Sequence, residues 1–418
     1  MREANILVIG GGIAGLTAAI EATEVGYDVF IVEKEPYLGG RVAAMNKYFP
    51  KLCSPYCGLE INFSRIKNNP RLKFLTMANV AEISGQPGDF NVAVRLNPRY
   101  VELDKCTACN ECVEVCPAER PNEFNLNMDL TKAIYLPHVM SLPMKYAIDD
   151  KVCLGTECAK CVKVCRHDAI NLGMKPKTIQ LKVSSIVLAT GWEPYDATKI
   201  DNLGFGKNGN VITNVMMERL ASISGPTRGE IIRPTDGKKV SSVAFVQCAG
   251  SRDENHLPYC SAVCCLASLK EATYVRDQYP DSKVYIFYID IRTPGIYEDF
   301  YIKVQSDENI TFVKGKVSKI EEDPETKDLI VEADDIFSGE KIGVRVDMVV
   351  LATGMVPVAR ASGIAGADIA YDEYGFTADS QETGVWAAGV AKRPMDVSSS
   401  VRSGTGAALK AIQGVVRD

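Results

Sequence analysis

Histidine is nearly absent from this chain: His138, His167 and His256 are the three in 418 residues. Lone histidines at such positions are most often solvated or packed, and no residue set for nucleophilic or general-base catalysis stands out. An excess of positive charge is also lacking. Lys and Arg number 47 against 53 Asp and Glu, a net charge of −6, and the cations are scattered, so nucleic acid is not an implied partner. The longest uncharged stretch, Ala4 to Ile20, falls short of the roughly 18 apolar residues that suggest a membrane span. No targeting segment is visible, so a cytoplasmic location is expected, with membrane association only through a partner at the inner face of the cytoplasmic membrane. The same absence argues against disulfides. Cysteine is what the chain has in quantity. Its fourteen thiols shift the expected chemistry toward thiolate ligation and electron transfer.

Eight of the fourteen fall in two runs. The first reads Cys106-Thr-Ala-Cys109-Asn-Glu-Cys112-Val-Glu-Val-Cys116-Pro117, the spacing with which bacterial-type ferredoxins hold [4Fe–4S] clusters. The second holds Cys153, Cys158, Cys161 and Cys165; it opens with a four-residue gap and carries Arg166 where proline is usual. Because the last cysteine of each run reaches the other cluster, one ligand set is expected to be Cys106, Cys109, Cys112 and Cys165. The other is expected to be Cys153, Cys158, Cys161 and Cys116. Structural zinc would also be satisfied by four thiolates per site, although eight cysteines in two such runs are more often cubane ligands.

The chain opens with an apolar run, Asn5 to Ile9, that leads into Gly10-Gly-Gly12-Ile13-Ala14-Gly15 and an alanine-rich helical stretch ended by Gly26. Asp28 to Val32 reads as the next strand, with Glu33 at its end. This is the full dinucleotide-binding context: glycines let backbone approach a pyrophosphate at a helix N-terminus, and the acid accepts ribose hydroxyls. Glu33-Lys34 and Gly39-Gly40-Arg41 then resemble the flavin disulfide reductases, whose resemblance implies FAD rather than NAD here. Two strands end in the same tripeptide, Ala189-Thr190-Gly191 and Ala352-Thr353-Gly354, and in that superfamily such strands mark crossings between the FAD domain and an inserted second dinucleotide domain. Gly384-Val-Trp-Ala-Ala-Gly389 resembles the closing FAD motif, with Val390 where an aspartate usually stands. Ser398, Ser399 and the N-terminus of a final helix, about Ser400 to Val416, are expected to cover the polar arm of the flavin instead. By the same resemblance Val80 and Val397 join the expected FAD contacts.

The expected architecture is α/β, a two-domain thioredoxin reductase-like fold. Residues 1–97, 176–200 and 346–418 form the FAD domain, 98–175 an inserted two-cluster ferredoxin domain, and 201–345 a degenerate second dinucleotide domain. In the last, Val240 to Gln247 reads as a strand, Ser261 to Tyr279 as a helix and Lys283 to Ile289 as a strand. Where a pyridine-nucleotide reductase would carry its second glycine fingerprint stand Cys248, Gly250, Cys260, Cys264 and Cys265. NAD(P)H binding is therefore not expected. A helix N-terminus favours negative charge, which suits an anionic thiolate cluster; buried structural cysteines are the alternative reading.

The strings Val243 to Glu254, Tyr259 to Cys265, Tyr288 to Arg292 and Pro394 to Ser398 resemble the heterodisulfide reductase flavoproteins, over essentially the whole chain. The resemblance implies that Cys248, Cys260, Cys264 and Cys265 hold a third [4Fe–4S] cluster near FAD. It also implies partner subunits: a second flavoprotein of the same kind and a haem and iron–sulfur membrane subunit. The length and single ferredoxin insertion look more like the quinone-interacting membrane-bound oxidoreductases of sulfate reducers, which implies relay between menaquinone and adenylylsulfate reductase. Cys53 and Cys57 are left over, spaced too widely for a C-x-x-C dithiol, and are expected to be buried. Three other functions compete with the relay. One is a flavoprotein subunit of a heterodisulfide reductase-like, electron-bifurcating complex, another is a stand-alone NAD(P)H-dependent reductase, and the third is an assembly protein whose clusters are structural.

Overall fold

The computed structural model describes residues 2–49, 52–360, 364–366, 369–379 and 383–416. Two parallel five-stranded sheets carry it. In the first, Ile6–Ile9 lies between Ser185–Leu188 and Val29–Val32, flanked outside by Val385–Ala387 and Leu72–Leu75. Every residue of Ile6–Ile9, Val29–Val32 and Ser185–Leu188 is buried, as expected for parallel strands covered on both faces. The helix Ile13–Glu24 and the final helix Val397–Val416 pack together on this sheet. That contact is close because Gly404 faces the backbone of Ala14: a Cβ there would meet the Ala14 carbonyl oxygen at 2.5 Å.

The second sheet orders Val211–Thr213, Met348–Thr353, Ser242–Ala249, Lys283–Tyr288 and Ile310–Lys314, again all parallel. The helix expected over 261–279 runs from Cys264 to Gln278. Its stripe of Leu269, Ala272 and Val275 packs on Val243, Phe245, Val284 and Ile286 of the sheet. The two crossing segments, Trp192–Pro194 and Met355–Pro357, pair with each other antiparallel. The thioredoxin reductase-like α/β architecture read from the sequence is thus the observed one.

The cysteine-rich insertion grows from a ladder rather than from a loose loop. Asp89–Leu96 pairs antiparallel with Lys177–Val183, Leu96 opposite Lys177, so the insertion leaves and re-enters at one point. Arg99, 5% exposed, anchors it there. Its guanidinium donates to the carbonyls of Pro36, Lys145 and Tyr146 and to Thr76 Oγ1, and burial lowers its pKa to about 10. Arg219, fully buried, joins three parts of the chain: Nε donates to Asn125 Oδ1 of the insertion, Nη1 to the Ala44 carbonyl and Nη2 to the Ser224 carbonyl. The same guanidinium lies 4.7 Å from the Phe124 ring.

Candidate functional site

The glycine turn is built for close approach. Gly10 has φ +107°, and a Cβ there would stand 2.3 Å from the Ala189 carbonyl oxygen. A Cβ at Gly15 would stand 2.0 Å from the Gly10 carbonyl oxygen. Gly12 differs: its only neighbour within 4 Å of an added Cβ is the Gly40 Cα at 4.0 Å, so it faces open space. Gly12 caps the helix Ile13–Glu24 with no side-chain hydrogen bond and no acid in the first turn, leaving the positive helix end available to an anion.

That open space is a cavity of about 780 Å³. Of the expected FAD contacts, Gly10, Gly12, Ile13, Ala14, Glu33, Lys34, Gly40, Arg41, Val80, Thr190, Gly191 and Val397 wall it. Glu33 Oε2 accepts from the Gly11 amide at 2.6 Å and Oε1 from the Glu35 amide at 2.8 Å, while burial pushes its pKa up to about 6. Thr190 Oγ1 is buried without a protein partner, an orphan a bound polar group would satisfy. Arg41 donates to the Trp192 carbonyl and stacks 5.0 Å from the Trp192 ring, which fixes the crossing segment beside the cavity. Open glycine backbone, an uncapped helix end, a buried acid and an orphaned hydroxyl fit a dinucleotide such as FAD.

Four of the expected contacts are placed differently. Gly15 packs behind the turn on Gly10, so it shapes the cradle without walling it. Gly354 belongs to the cysteine loop, because a Cβ there would meet Ser251 Oγ at 2.4 Å and Ser261 Oγ at 2.9 Å. Gly389 packs on Ala14. Ser398 is displaced because the final helix begins at Val397, three residues before the sequence suggested: Asp396 Oδ1 accepts from the Ser399 amide at 2.6 Å. Asp396 and Ser400 wall the cavity instead, beside Val390.

The far walls were not foreseen from the sequence. Arg120, Asn122, Phe124 and Tyr135 come from the cysteine-rich insertion, and Asn214, Glu218, Lys270 and Glu271 from the second dinucleotide domain. Lys270 and Glu271 left a trace: they are adjacent charged residues on a helix that packs against a buried sheet, and both are at most 2% exposed.

In the insertion, both cysteine runs turn on the same geometry. Asn110 (φ +75°) and Ala159 (φ +40°), each following a cysteine, adopt left-handed backbone and cap the short helices Glu111–Glu114 and Lys160–Val164. The two extra residues of the second run are taken up by a single 3₁₀ turn, Gly155–Glu157. Arg166, in place of proline, reaches Glu111 Oε1 at 3.2 Å and ties the two halves. Cys106, Cys109, Cys112 and Cys165 wall one small hollow with Val101, Ile134, Tyr146 and Ile170. Burial, then the neighbouring Cys106 and Cys109, pushes Cys112 up to about 12, and burial raises Cys161, with Cys153 and Cys116 adding to it. Cys158 is half-buried.

The remaining four cysteines also gather. Cys248, next to last in Ser242–Ala249, has φ +56°, and Cys264 and Cys265 begin the helix. Burial raises all three thiols: Cys248 to about 11, Cys264 well above the ordinary range, and Cys265 upward. Mutual repulsion adds to it, with Cys260 in the same group. The loop is braced by Ser251 Oγ and Ser261 Oγ, 3.0 Å apart, and by Ser261 Oγ accepting from the Met355 amide at 2.9 Å. Arg252 and Arg292 both pair with Asp290 at the edge of the group. Four thiols gathered in one loop, Cys264 and Cys265 buried and Cys248 and Cys260 half-buried, are a donor set of the type that ligates iron once deprotonated. Among the described residues no three His, Cys, Asp or Glu stand close enough to share one ion. Cys53 is half-buried, but Cys57, in the first turn of Pro55–Lys67, is solvent-exposed, so the expectation of two buried thiols fails for it.

A model of the FAD binding domain matches residues 5–45, and one of the 4Fe–4S binding domain matches residues 99–119. An iron–sulfur HdrA-type protein of the CoB–CoM heterodisulfide reductase from Methanopyrus kandleri is 39% identical over 427 residues, covering 98% of this chain and 64% of the relative. Its counterpart in the H(2):CoB–CoM heterodisulfide,ferredoxin reductase from Methanothermobacter marburgensis is 37% identical over 423 residues, with the same coverage. Over nearly its whole length this chain is similar to the A subunits of CoB–CoM heterodisulfide reductases. It spans a little under two thirds of the length of these relatives. Among solved structures, thioredoxin reductase from T. acidophilum superposes with a TM-score of 0.53 at 16% identity over the whole of both chains. That from Lactococcus lactis gives 0.54 at 14% identity over 99% of this chain and all of the other. These likenesses concern the fold. None of its described helices is long and apolar enough to cross a membrane.

Proposed function

We propose that this chain is the FAD-bearing electron-transfer component of a heterodisulfide reductase-like complex, moving electrons between a two-electron flavin and one-electron [4Fe–4S] clusters. One observation carries the reading: a single cavity is walled by the glycine turn, by the cysteine-rich insertion and by the helix that begins with Cys264 and Cys265. Any flavin seated on the turn would have cluster-bearing segments on two sides.

In this reading Gly10, Gly12, Ile13 and Ala14 receive the pyrophosphate, Glu33 the ribose, and Thr190, Gly191, Val390 and Val397 the remainder of the flavin. Cys106, Cys109, Cys112 and Cys165 hold one cluster, and Cys116, Cys153, Cys158 and Cys161 a second. Cys248, Cys260, Cys264 and Cys265 hold the third. The hollow walled by the first set supports the exchange of the last cysteine between runs. The turn after Ser242–Ala249 supports the absence of nicotinamide binding, because cysteines stand where a glycine fingerprint would be.

The relatives are named as parts of CoB–CoM heterodisulfide reductases linked to H2 or ferredoxin, and this favours partner subunits supplying the terminal chemistry. The narrower expectation, a relay from menaquinone to adenylylsulfate reductase, rested on length and the single ferredoxin insertion, and the names of these relatives do not extend to it. Anaerobic isolation of the native complex tests the reading. It should yield bound FAD, about twelve iron per chain, and a flavin bleached by a reduced low-potential iron–sulfur donor but not by NADH. Bleaching by NADH at a comparable rate would replace it with the nicotinamide reductase.

A further inference from the structure

At the end of the cavity formed by the second domain, two acids share one cation. Lys270 Nζ pairs with Glu218 Oε1 at 2.7 Å and donates to the Lys47 carbonyl at 2.6 Å. Glu218 is further occupied by the Asn46 amide at 2.8 Å and by the Tyr274 hydroxyl. Its charge is matched and its lone pairs are used. Glu271 follows Lys270 on the helix Cys264–Gln278 and is fully buried; neither carboxyl oxygen has a partner at full hydrogen-bonding geometry, although Glu218 stands near enough for the protonated acid to donate to it. The groups bearing on it are Glu218, which repels a second negative charge, and Lys270, which is already paired; Tyr274 shares Glu218 with it. A carboxylate so placed is disfavoured by burial and by its neighbour alike, so Glu271 holds a proton. Its pKa is raised well above the ordinary value, burial being the larger cause and Glu218 the second.

We infer that Glu271 is a proton carrier for the flavin cavity, exchanging a proton with the flavin as electrons pass to and from the clusters. The inference rests on the electron-transfer reading above and adds the proton path it requires. Two-electron reduction of a flavin takes up at least one proton, whereas a [4Fe–4S] cluster delivers electrons alone. With FAD and reduced clusters in place, two clusters would each give up one electron while the Glu271 O–H bond breaks and its proton passes to the flavin, and the carboxylate left behind would be reprotonated from water entering the cavity. In the reverse direction Glu271 takes back the flavin proton while two oxidised clusters take the electrons. Lys270 beside it stabilises the transient anion, and Glu218 limits its lifetime.

Glu271→Gln is neutral and nearly isosteric with the protonated acid, so fold and flavin loading should persist. Proton uptake during reduction of the loaded flavin, followed by stopped flow with a pH indicator, should slow by roughly a hundredfold, and Glu271→Asp should restore part of the rate. A second readout needs no flavin. Infrared spectra of the flavin-free chain should contain a protonated carboxyl band that persists at pH 8 and disappears in Glu271→Gln. Wild-type proton uptake in the flavin-loaded variant, absence of the band, or loss of flavin binding in Glu271→Gln alone would each overturn the inference. Failure of the wild-type chain to bind FAD would instead remove the electron-transfer reading, and the infrared band would still decide the protonation of Glu271.

Discussion

Replacing Gly12 by valine separates binding from folding. Gly12 has φ −76° and ψ −178°, extended backbone that any residue adopts, and a new Cβ would meet nothing nearer than 4.0 Å. The flavin-free fold should therefore lose no more than about 0.5 kcal/mol, the range of substitutions that touch nothing. The added methyl groups must then project into the cavity at the uncapped end of Ile13–Glu24, where a pyrophosphate would lie against backbone. A hundredfold weaker flavin affinity, about 2.8 kcal/mol, is the least effect expected from displacing that contact. Gly15→Ala is the counterpart: its Cβ would lie 2.0 Å from the Gly10 carbonyl oxygen. It should destabilise the flavin-free chain itself by about 1–3 kcal/mol through backbone shift. Urea unfolding of flavin-free protein and fluorescence titration with FAD measure both quantities. A Gly12→Val chain that binds FAD with wild-type affinity, or that unfolds like Gly15→Ala, would refute the assignment of this turn.

Glu33 predicts two pH effects of opposite sign. Its pKa is raised from 4.5 to about 6 in the folded chain, so the folded state keeps a proton that the unfolded state gives up. Flavin-free stability should fall by about 2 kcal/mol as the pH rises from 4.5 through 6, as calorimetry across that window would detect. Flavin affinity should instead rise over the same interval, since the carboxylate accepts a ribose hydroxyl better than the acid does; a flat binding profile would remove Glu33 from the site. Arg219→Ala should cost about 2–4 kcal/mol in urea unfolding, because it strands Asn125 and the carbonyls of Ala44 and Ser224 in the interior. A loss under 1 kcal/mol would mean that the three parts of the chain are not held together there.

The local patterns of the first sheet, the crossings and the first cysteine run were legible because each is encoded within a few adjacent residues. A strand, a glycine turn and an acid after the next strand need no tertiary information to be recognised. The two Ala-Thr-Gly tripeptides show where that stops. Thr190 offers an unpartnered hydroxyl to the cavity, whereas Thr353 donates to Asn214 Oδ1, and Gly354 packs into the cysteine loop. Identical sequence has two roles because the packed neighbour differs. The start of the final helix was misjudged because three consecutive serines resemble a cap, while the capping acid, Asp396, lies just upstream. The cavity walls from Phe124 and from Glu271 join residues more than a hundred positions apart from the glycine turn, and no local period reports such a contact.

The proposed cluster at the third cysteine group, in the place of a nicotinamide site, carries the electron-relay reading. Iron per chain in anaerobically prepared, flavin-loaded protein tests it most directly when wild type is compared with the double variant Cys264→Ala, Cys265→Ala. Iron should fall from about twelve to about eight, four per cubane, with FAD content unchanged. Equal iron in the two proteins would contradict a cluster at this site.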